Sequence, residues 1–133
     1  MHQQPLFAVS DPVELLALWR LVAEAKFQPD PDDNDLWGSS HVHALAQRIS
    51  DALLRAHQEA GDTEAVGAHL RWVASLPNNV VLPAIKAKLR KDASSQWWSA
   101  QSHEQKLGYV RGCVAPFQPD SEFLEGLVHE AEA

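Results

Sequence analysis

The chain has very little cysteine, since Cys113 is the single one among 133 residues. A disulfide within the chain is therefore excluded, and a reducing compartment is the simplest location for such a protein. The first residues lack the basic start and apolar core of a secretory signal peptide. No apolar run approaches the roughly 18 residues of a membrane span. We therefore expect a soluble, cytoplasmic protein that does not associate with membranes.

Strand patterns and recognisable catalytic motifs are missing too. Apolar and polar residues alternate over four or more positions nowhere in the chain, so no strand is predicted. His103 and Glu104 begin like a zinc-protease helix, but Leu107 stands where that motif has its second histidine. His41 and His43 would diverge by about 200° on a helix. We assign no catalytic residue, no metal and no cofactor from the sequence.

Helical periodicity is what the chain does have, and it is clearest between Ser40 and Leu76. Apolar residues recur there at steps of three and four, and polar residues fill the opposite face. Gly61 divides the stretch, because glycine ends a helix in the left-handed conformation without steric cost. The pattern predicts an antiparallel helical hairpin, with Leu53 and Leu70 both buried in it.

Capping residues place the other helices. Asp11 followed by Pro12 marks the start of a first helix, which two prolines end after Lys26. Ser102 and Gln105 have the spacing of a capping box for a later helix. Further helical segments are expected at 80–92, at 103–114 and from 120 or 121 onward, with a short helical turn at Trp97 and Trp98.

These segments together give the fold prediction. We expect an all-α, single-domain bundle of five or six helices over residues 1–133, built on the hairpin at about 40–76. Residues 1–10 are expected to be loosely ordered. A loop at 27–39 is long for a compact helical domain.

The charge of the chain is negative and unevenly distributed. Eighteen acidic residues outnumber eleven basic ones, and the formal net charge is −7. The stretches 1–40 and 93–133 carry net charges of −5 and −4, whereas 41–92 carries +2. Because phosphate repels such a chain, binding to nucleic acid or anionic lipid is disfavoured. A basic protein partner suits the charge better, although net charge also serves solubility alone.

The acidic loop holds the main candidate site. Asp30, Asp32 and Asn34 match the first, third and fifth positions of a calcium-binding loop. The match then ends, because Asp35 replaces the required glycine and His41 replaces the final glutamate. A solvated loop that leads into a helix N-terminus is one alternative. A contact surface for a basic partner is another, and it is the one that we prefer.

Tryptophans complete this predicted surface. Trp37 follows the acidic loop and is expected to act as its aromatic anchor. Trp97 and Trp98 point about 100° apart on a helical turn, so both can rarely be fully buried and one of them should face a groove, a ligand or a partner. Trp19 and Trp72 fit apolar stripes and are expected in the core. The predicted partner-binding residues are Asp30, Asp32, Asp33, Asp35, Trp37 and Trp98.

The functional hypothesis follows by elimination. We expect a small protein-interaction module, such as an adaptor, an inhibitor or an immunity-type protein, that binds a protein partner without catalysis. The alternative is a small-molecule or metal-dependent enzyme whose histidines and acidic loop converge only in the fold. A deep pocket that holds two or more of His41, His43, His69, His103 and the acidic loop would favour the enzyme. The sequence leaves the oligomeric state open.

Overall fold

The computed structural model describes residues 7–27 and 37–133 of the chain. Those two ranges contain seven α-helices, one 3₁₀ turn and no β-strand, which confirms the all-α prediction. The helices are α1 (Pro12–Lys26), α2 (Ser40–Glu59), α3 (Thr63–Val73), α4 (Leu82–Ala93), α5 (Gln96–Ser99), α6 (His103–Val114) and α7 (Ser121–Glu132), with the 3₁₀ turn Leu76–Asn78 between α3 and α4.

Side-chain caps explain where most of these helices begin. The Asp11 carboxylate accepts a hydrogen bond from the Val13 amide at 2.9 Å, one residue before α1. Ser39 caps α2, and Ser102 with Gln105 forms a complete capping box on α6. Each cap satisfies an amide that the first turn of a helix leaves without a partner. The caps predicted at Asp11 and Ser102 are thereby confirmed.

The two helices predicted between Ser40 and Leu76 are present as α2 and α3. Gly61 lies between them with a φ of 68°, in the left-handed region that glycine enters most readily. α2 packs against both α3 and α1. Leu53 of α2 is buried, with 2% of its side chain exposed, as predicted.

Leu70 is exposed, so the prediction that it is buried is wrong. Its exposed fraction is 48%. The inward side of α3 is instead formed by Ala65, His69 and Trp72, which line a cleft shared with α1 and α2. Leu70 lies one 100° step beyond His69 and therefore turns toward solvent.

Apart from Leu76, the buried members of the largest apolar cluster lie outside the stretch 40–76. The cluster joins α4, α6 and α7, and α4 packs extensively along α7. The C-terminal helices therefore hold most of this core. The fully or almost fully buried members of the cluster include Leu76, Ile85, Leu89, Val110, Cys113, Val114, Leu124 and Val128.

No helix among the described residues is both long enough and apolar enough to cross a membrane. Of the predicted acidic loop at 27–39, residues 28–36, which include Asp30, Asp32, Asp33 and Asp35, lie outside the described part of the chain. The same holds for residues 1–6.

Candidate functional site

The last helix presents two different sides. Leu124, Leu127 and Val128 of α7 face the core and are buried. Glu122 and Glu130 are exposed, and Gly126 lies midway between them at steps of four residues. Residues spaced by four share one side of a helix, so this side of α7 has a carboxylate at each end and no side chain at its centre.

A groove of about 650 Å³ runs along this side of α7, and we call it the α7 groove. Its apolar surface comes from Phe123 and Leu127 of α7, from Ala74 after α3, and from Pro77 and Pro119. The Gln118 amide donates to the Val73 carbonyl at 2.7 Å, which ties the segment before α7 to the end of α3. Two stretches distant in sequence thus form the walls of one groove.

The rim of the α7 groove carries more negative than positive charge. Asp120, Glu122 and Glu130 line it together with one cation, Lys86 of α4. The Lys86 ammonium lies 3.2 Å from the Glu130 carboxylate, and both side chains are partly exposed. Asp120 also caps α7 by accepting from the Phe123 amide at 2.8 Å. With Lys86 charged, these four side chains have a net charge of −2, so the groove attracts cations.

The other carboxylates of α7 lie on its opposite side, against α6. Glu125 pairs with His103 at 2.7 Å, and Glu132 accepts from Lys106 at 2.7 Å. The hydrogen bond from Lys106, followed by that from Trp98, lowers the pKa of Glu132 below its usual value. These pairs connect α6 to α7, and their carboxylates are not part of the α7 groove.

The two tryptophans predicted as anchors are both buried. Trp37 and Trp98 are each 2% exposed, whereas the neighbouring Trp97 is 47% exposed. The Trp98 indole N–H donates to Glu132 at 3.0 Å. An anchor must be exposed before it can contact a partner, and in this structure neither indole is. Their predicted role in binding is therefore not supported by their position.

Trp37 belongs to a buried set of polar contacts that we call the Trp37 network, formed by Lys26, Trp37, Lys88, Asp92 and Tyr109. The Trp37 indole N–H donates to the Asp92 carboxylate at 2.8 Å, and the Tyr109 hydroxyl donates to the same oxygen at 2.7 Å. The Lys88 ammonium lies 4.9 Å from the centroid of the Trp37 ring. A partner for each of these polar groups is thus supplied from within the fold.

The two lysines of the Trp37 network satisfy carbonyls at helix C-termini. Lys26 donates to the carbonyls of Gly112, at 2.9 Å, and Ala115, both at the end of α6. Lys88 donates to the Lys26 carbonyl at the end of α1, at 3.1 Å. Such carbonyls lack a full set of partners in their own helix and favour a nearby cation. Both lysines therefore have a structural role.

Burial changes the protonation of this region. It lowers the pKa of Lys26 to about 7 and also lowers the pKa of Lys88. Burial raises the pKa of the Cys113 thiol to about 12. Cys113 is fully buried and thus protonated at neutral pH, which makes it a poor nucleophile.

The histidines that the enzyme alternative requires lie in separate places. His43 is buried, with Nε2 at 2.6 Å from the Trp37 carbonyl oxygen. His69 contacts the Ser50 hydroxyl at 2.9 Å, and His103 pairs with Glu125. Among the residues that the structure describes, no three histidine, cysteine or acidic side chains lie close enough to hold a metal ion.

Two smaller clefts flank Trp19 of α1. One of about 430 Å³ is lined by Trp72, Phe27 and Phe117, and one of about 250 Å³ reaches His69. The centroid of the Trp72 ring lies 4.5 Å from that of Trp19 and 4.3 Å from that of Phe117. These aromatic rings pack mainly on one another, and Trp19 and Trp72 are half-buried rather than fully buried. The clefts are smaller than the α7 groove and have no excess of one charge at their rims.

Sequence reasoning missed the α7 groove. The available signal was the spacing of Glu122, Gly126 and Glu130 on the last predicted helix, beside its apolar stripe. The other wall comes from residues 74–77 and from Lys86, and no local pattern indicates that these residues lie near α7.

No protein-family model, curated protein or solved structure matches this chain.

Proposed function

We propose that this protein is a noncatalytic protein-interaction module that binds a basic protein partner in the α7 groove. The observation that carries the proposal is the combination of an apolar groove with a rim of net negative charge. Protein interfaces commonly have an apolar centre and a polar, solvent-accessible rim. A rim whose charge is opposite to that of the partner accelerates association, and it repels proteins whose charge has the same sign as the rim.

The separation of the histidines supports binding over catalysis. General acid–base or metal chemistry needs polar groups that converge within hydrogen-bond reach of one substrate atom. His43, His69 and His103 instead each contact a different partner within the protein. Adaptor, inhibitor and immunity-type roles all fit a noncatalytic groove, and the cytoplasmic location expected from the single cysteine remains part of the proposal.

A comparison of three immobilised baits tests the proposal. The wild type, the groove variant Glu122→Gln/Glu130→Gln and the control variant Glu104→Gln/Glu125→Gln are exposed to extract of the native cells, and retained proteins are identified by mass spectrometry. The two variants are matched, because each removes two negative charges, one in the first turn of a helix and one from an ion pair.

We expect one or more basic proteins to be retained by the wild type and the control variant and to be lost from the groove variant. Stability should differ little among the three baits, because exposed ion pairs contribute only about 0–1 kcal/mol. Retention of the same proteins by all three baits would contradict the α7 groove as the binding surface.

A further inference from the structure

The spacing of charge along the α7 groove restricts what can bind in it. Glu122 and Glu130 are eight residues apart on one helix, which separates their backbones by about 12 Å. Between them, a Cβ atom at Gly126 would meet no other atom within 4 Å. The centre of this side of α7 is therefore open down to the helix backbone, and the two carboxylates stand at either end of the opening.

The walls of the groove offer few main-chain donors. Pro77 and Pro119 have no N–H, and the Gln118 amide already donates to the Val73 carbonyl. The part of the chain that the structure describes contains no strand whose edge a peptide could extend. An extended peptide would thus leave many of its own backbone groups without partners, whereas a helix satisfies them internally.

We propose that the α7 groove binds a basic amphipathic helix of the partner protein. On that helix, two basic residues lie about eight positions apart and an apolar residue midway between them. The basic residues pair with Glu122 and Glu130, and the apolar residue packs over Gly126 against Phe123 and Leu127. This inference rests on the proposed function and adds the structure and the residue pattern of the bound segment.

Lys86 adds a feature of specificity. Its ammonium occupies one side of the Glu130 carboxylate in the free protein, at 3.2 Å. A basic residue of the partner therefore either shares Glu130 with Lys86 or displaces it. Binding should weaken with added salt, because the attraction between the rim carboxylates and the basic residues of the partner involves exposed charges.

Two synthetic peptides test the pattern. Both are alanine-based, capped at their ends and about 17 residues long, which is enough for substantial helix formation. The matched peptide carries two arginines eight positions apart with a leucine midway. The control peptide has the same composition, with each arginine moved two positions inward to the helix face opposite the leucine. Binding to the full-length protein is measured by fluorescence anisotropy at low and moderate salt.

Two glycine variants separate steric blocking from loss of stability. Gly126→Leu fills the centre of the α7 groove, whereas Gly108→Leu changes an equivalent open glycine on α6, outside the groove. Both changes replace glycine within a helix and should raise the melting temperature. Retained or raised melting temperatures show that both variants are folded, so a difference in binding between them reports on the groove.

We expect the wild type to bind the matched peptide about tenfold more tightly than the control peptide, which is the effect of one anchoring contact. Gly126→Leu should weaken binding of the matched peptide at least about tenfold, and Gly108→Leu should not change it. Equal affinity for the two peptides, no binding of either, or equal binding by the two leucine variants overturns the inference. The proposed function is tested separately in the bait experiment, by whether the variant Glu122→Gln/Glu130→Gln loses the proteins that the wild type retains.

Discussion

The Trp37 network and the α7 groove both place charged side chains beside apolar ones, but they differ in how the charges are satisfied. In the Trp37 network, Asp92 receives two hydrogen bonds and Lys26 and Lys88 donate to helix carbonyls. In the α7 groove, Lys86 pairs with Glu130, Asp120 caps α7, and all three carboxylates stay exposed. Hydrogen bonds that the fold satisfies internally serve stability, whereas a charge left exposed beside apolar surface remains available to a partner.

The largest effect on stability is expected from replacing Trp37, whose side chain is buried in the Trp37 network. Trp37→Ala should reduce the free energy of unfolding by about 3–5 kcal/mol, through lost burial and the cavity that remains. Trp97→Ala is the matched control, and because Trp97 is half-exposed it should cost about 1 kcal/mol or less. Urea unfolding of both variants measures the difference. Similar losses for the two would contradict the burial of Trp37.

The second largest effect is the change in the free energy of unfolding with pH. Lys26 has a pKa of about 7 in the folded protein and 10.5 without the fold. Between these values the unfolded chain binds more protons, so stability should rise with pH by up to about 1.4 kcal/mol per unit. Cys113 acts oppositely above pH 9, because the buried thiol keeps its proton while the unfolded one loses it. The free energy of unfolding should therefore increase from pH 7 and reach its maximum between pH 9 and pH 10.5, where the two opposing slopes cancel.

The variant Lys26→Met checks this assignment. It should be less stable than the wild type because the α6 carbonyls lose their donor. Its free energy of unfolding should also increase much less between pH 7 and pH 9. Urea unfolding at pH 7, 8 and 9 gives both slopes, and an equal slope in the two proteins would assign the pH dependence to other groups.

The sequence predicts structural features that depend on residues close together in the chain, but not those that depend on distant residues. Caps and helix ends involve neighbours within about four residues, so Asp11, Ser102 and Gly61 were predicted correctly. The burial of Trp37 depends on Asp92, which is 55 positions away in sequence. No local pattern indicates such a contact, and a tryptophan beside an acidic loop resembles an interface residue equally well.

The position of Leu70 shows a second limit. Periodicity predicts that a helix has an apolar side, but where that side is covered depends on which helices pack against it. α3 is covered near Ala65, His69, Trp72 and Val73, and Leu70 remains exposed. The α7 groove was missed for the same reason, since its two walls come from stretches more than 30 residues apart.

A smaller effect is expected at the open glycines. Gly126→Ala and Gly108→Ala should each raise the free energy of unfolding by about 0.5–1 kcal/mol, because alanine loses less conformational freedom in a helix and both positions have room for a methyl group. Thermal unfolding measures the gain. A loss of stability at Gly126 alone would mean that the α7 groove is not open at its centre.

The smallest effect is expected from the acidic loop, whose residues lie outside the described part of the structure. If the loop is the solvated or partner-binding segment that the sequence predicts, changing Asp30, Asp32, Asp33 and Asp35 to asparagine should leave the melting temperature nearly unchanged, because solvated charges contribute little to folding. The calcium alternative predicts otherwise: added calcium would raise the melting temperature of the wild type, and the four-fold variant would lose that response. Calorimetry with and without calcium distinguishes the two.

The central claim is that a protein partner occupies the α7 groove, and site-specific crosslinking tests it most directly. Gln118→Cys places a thiol at the groove, and Gln58→Cys places one at an exposed position on α2. The native Cys113 is buried, so a maleimide photocrosslinker should label only the new thiol. We predict that a basic protein of the native cell extract crosslinks to position 118 and not to position 58. We also predict that Glu122→Gln/Glu130→Gln abolishes this crosslink. Equal crosslinking from both positions, or a crosslink at 118 that survives loss of the two carboxylates, would contradict the account.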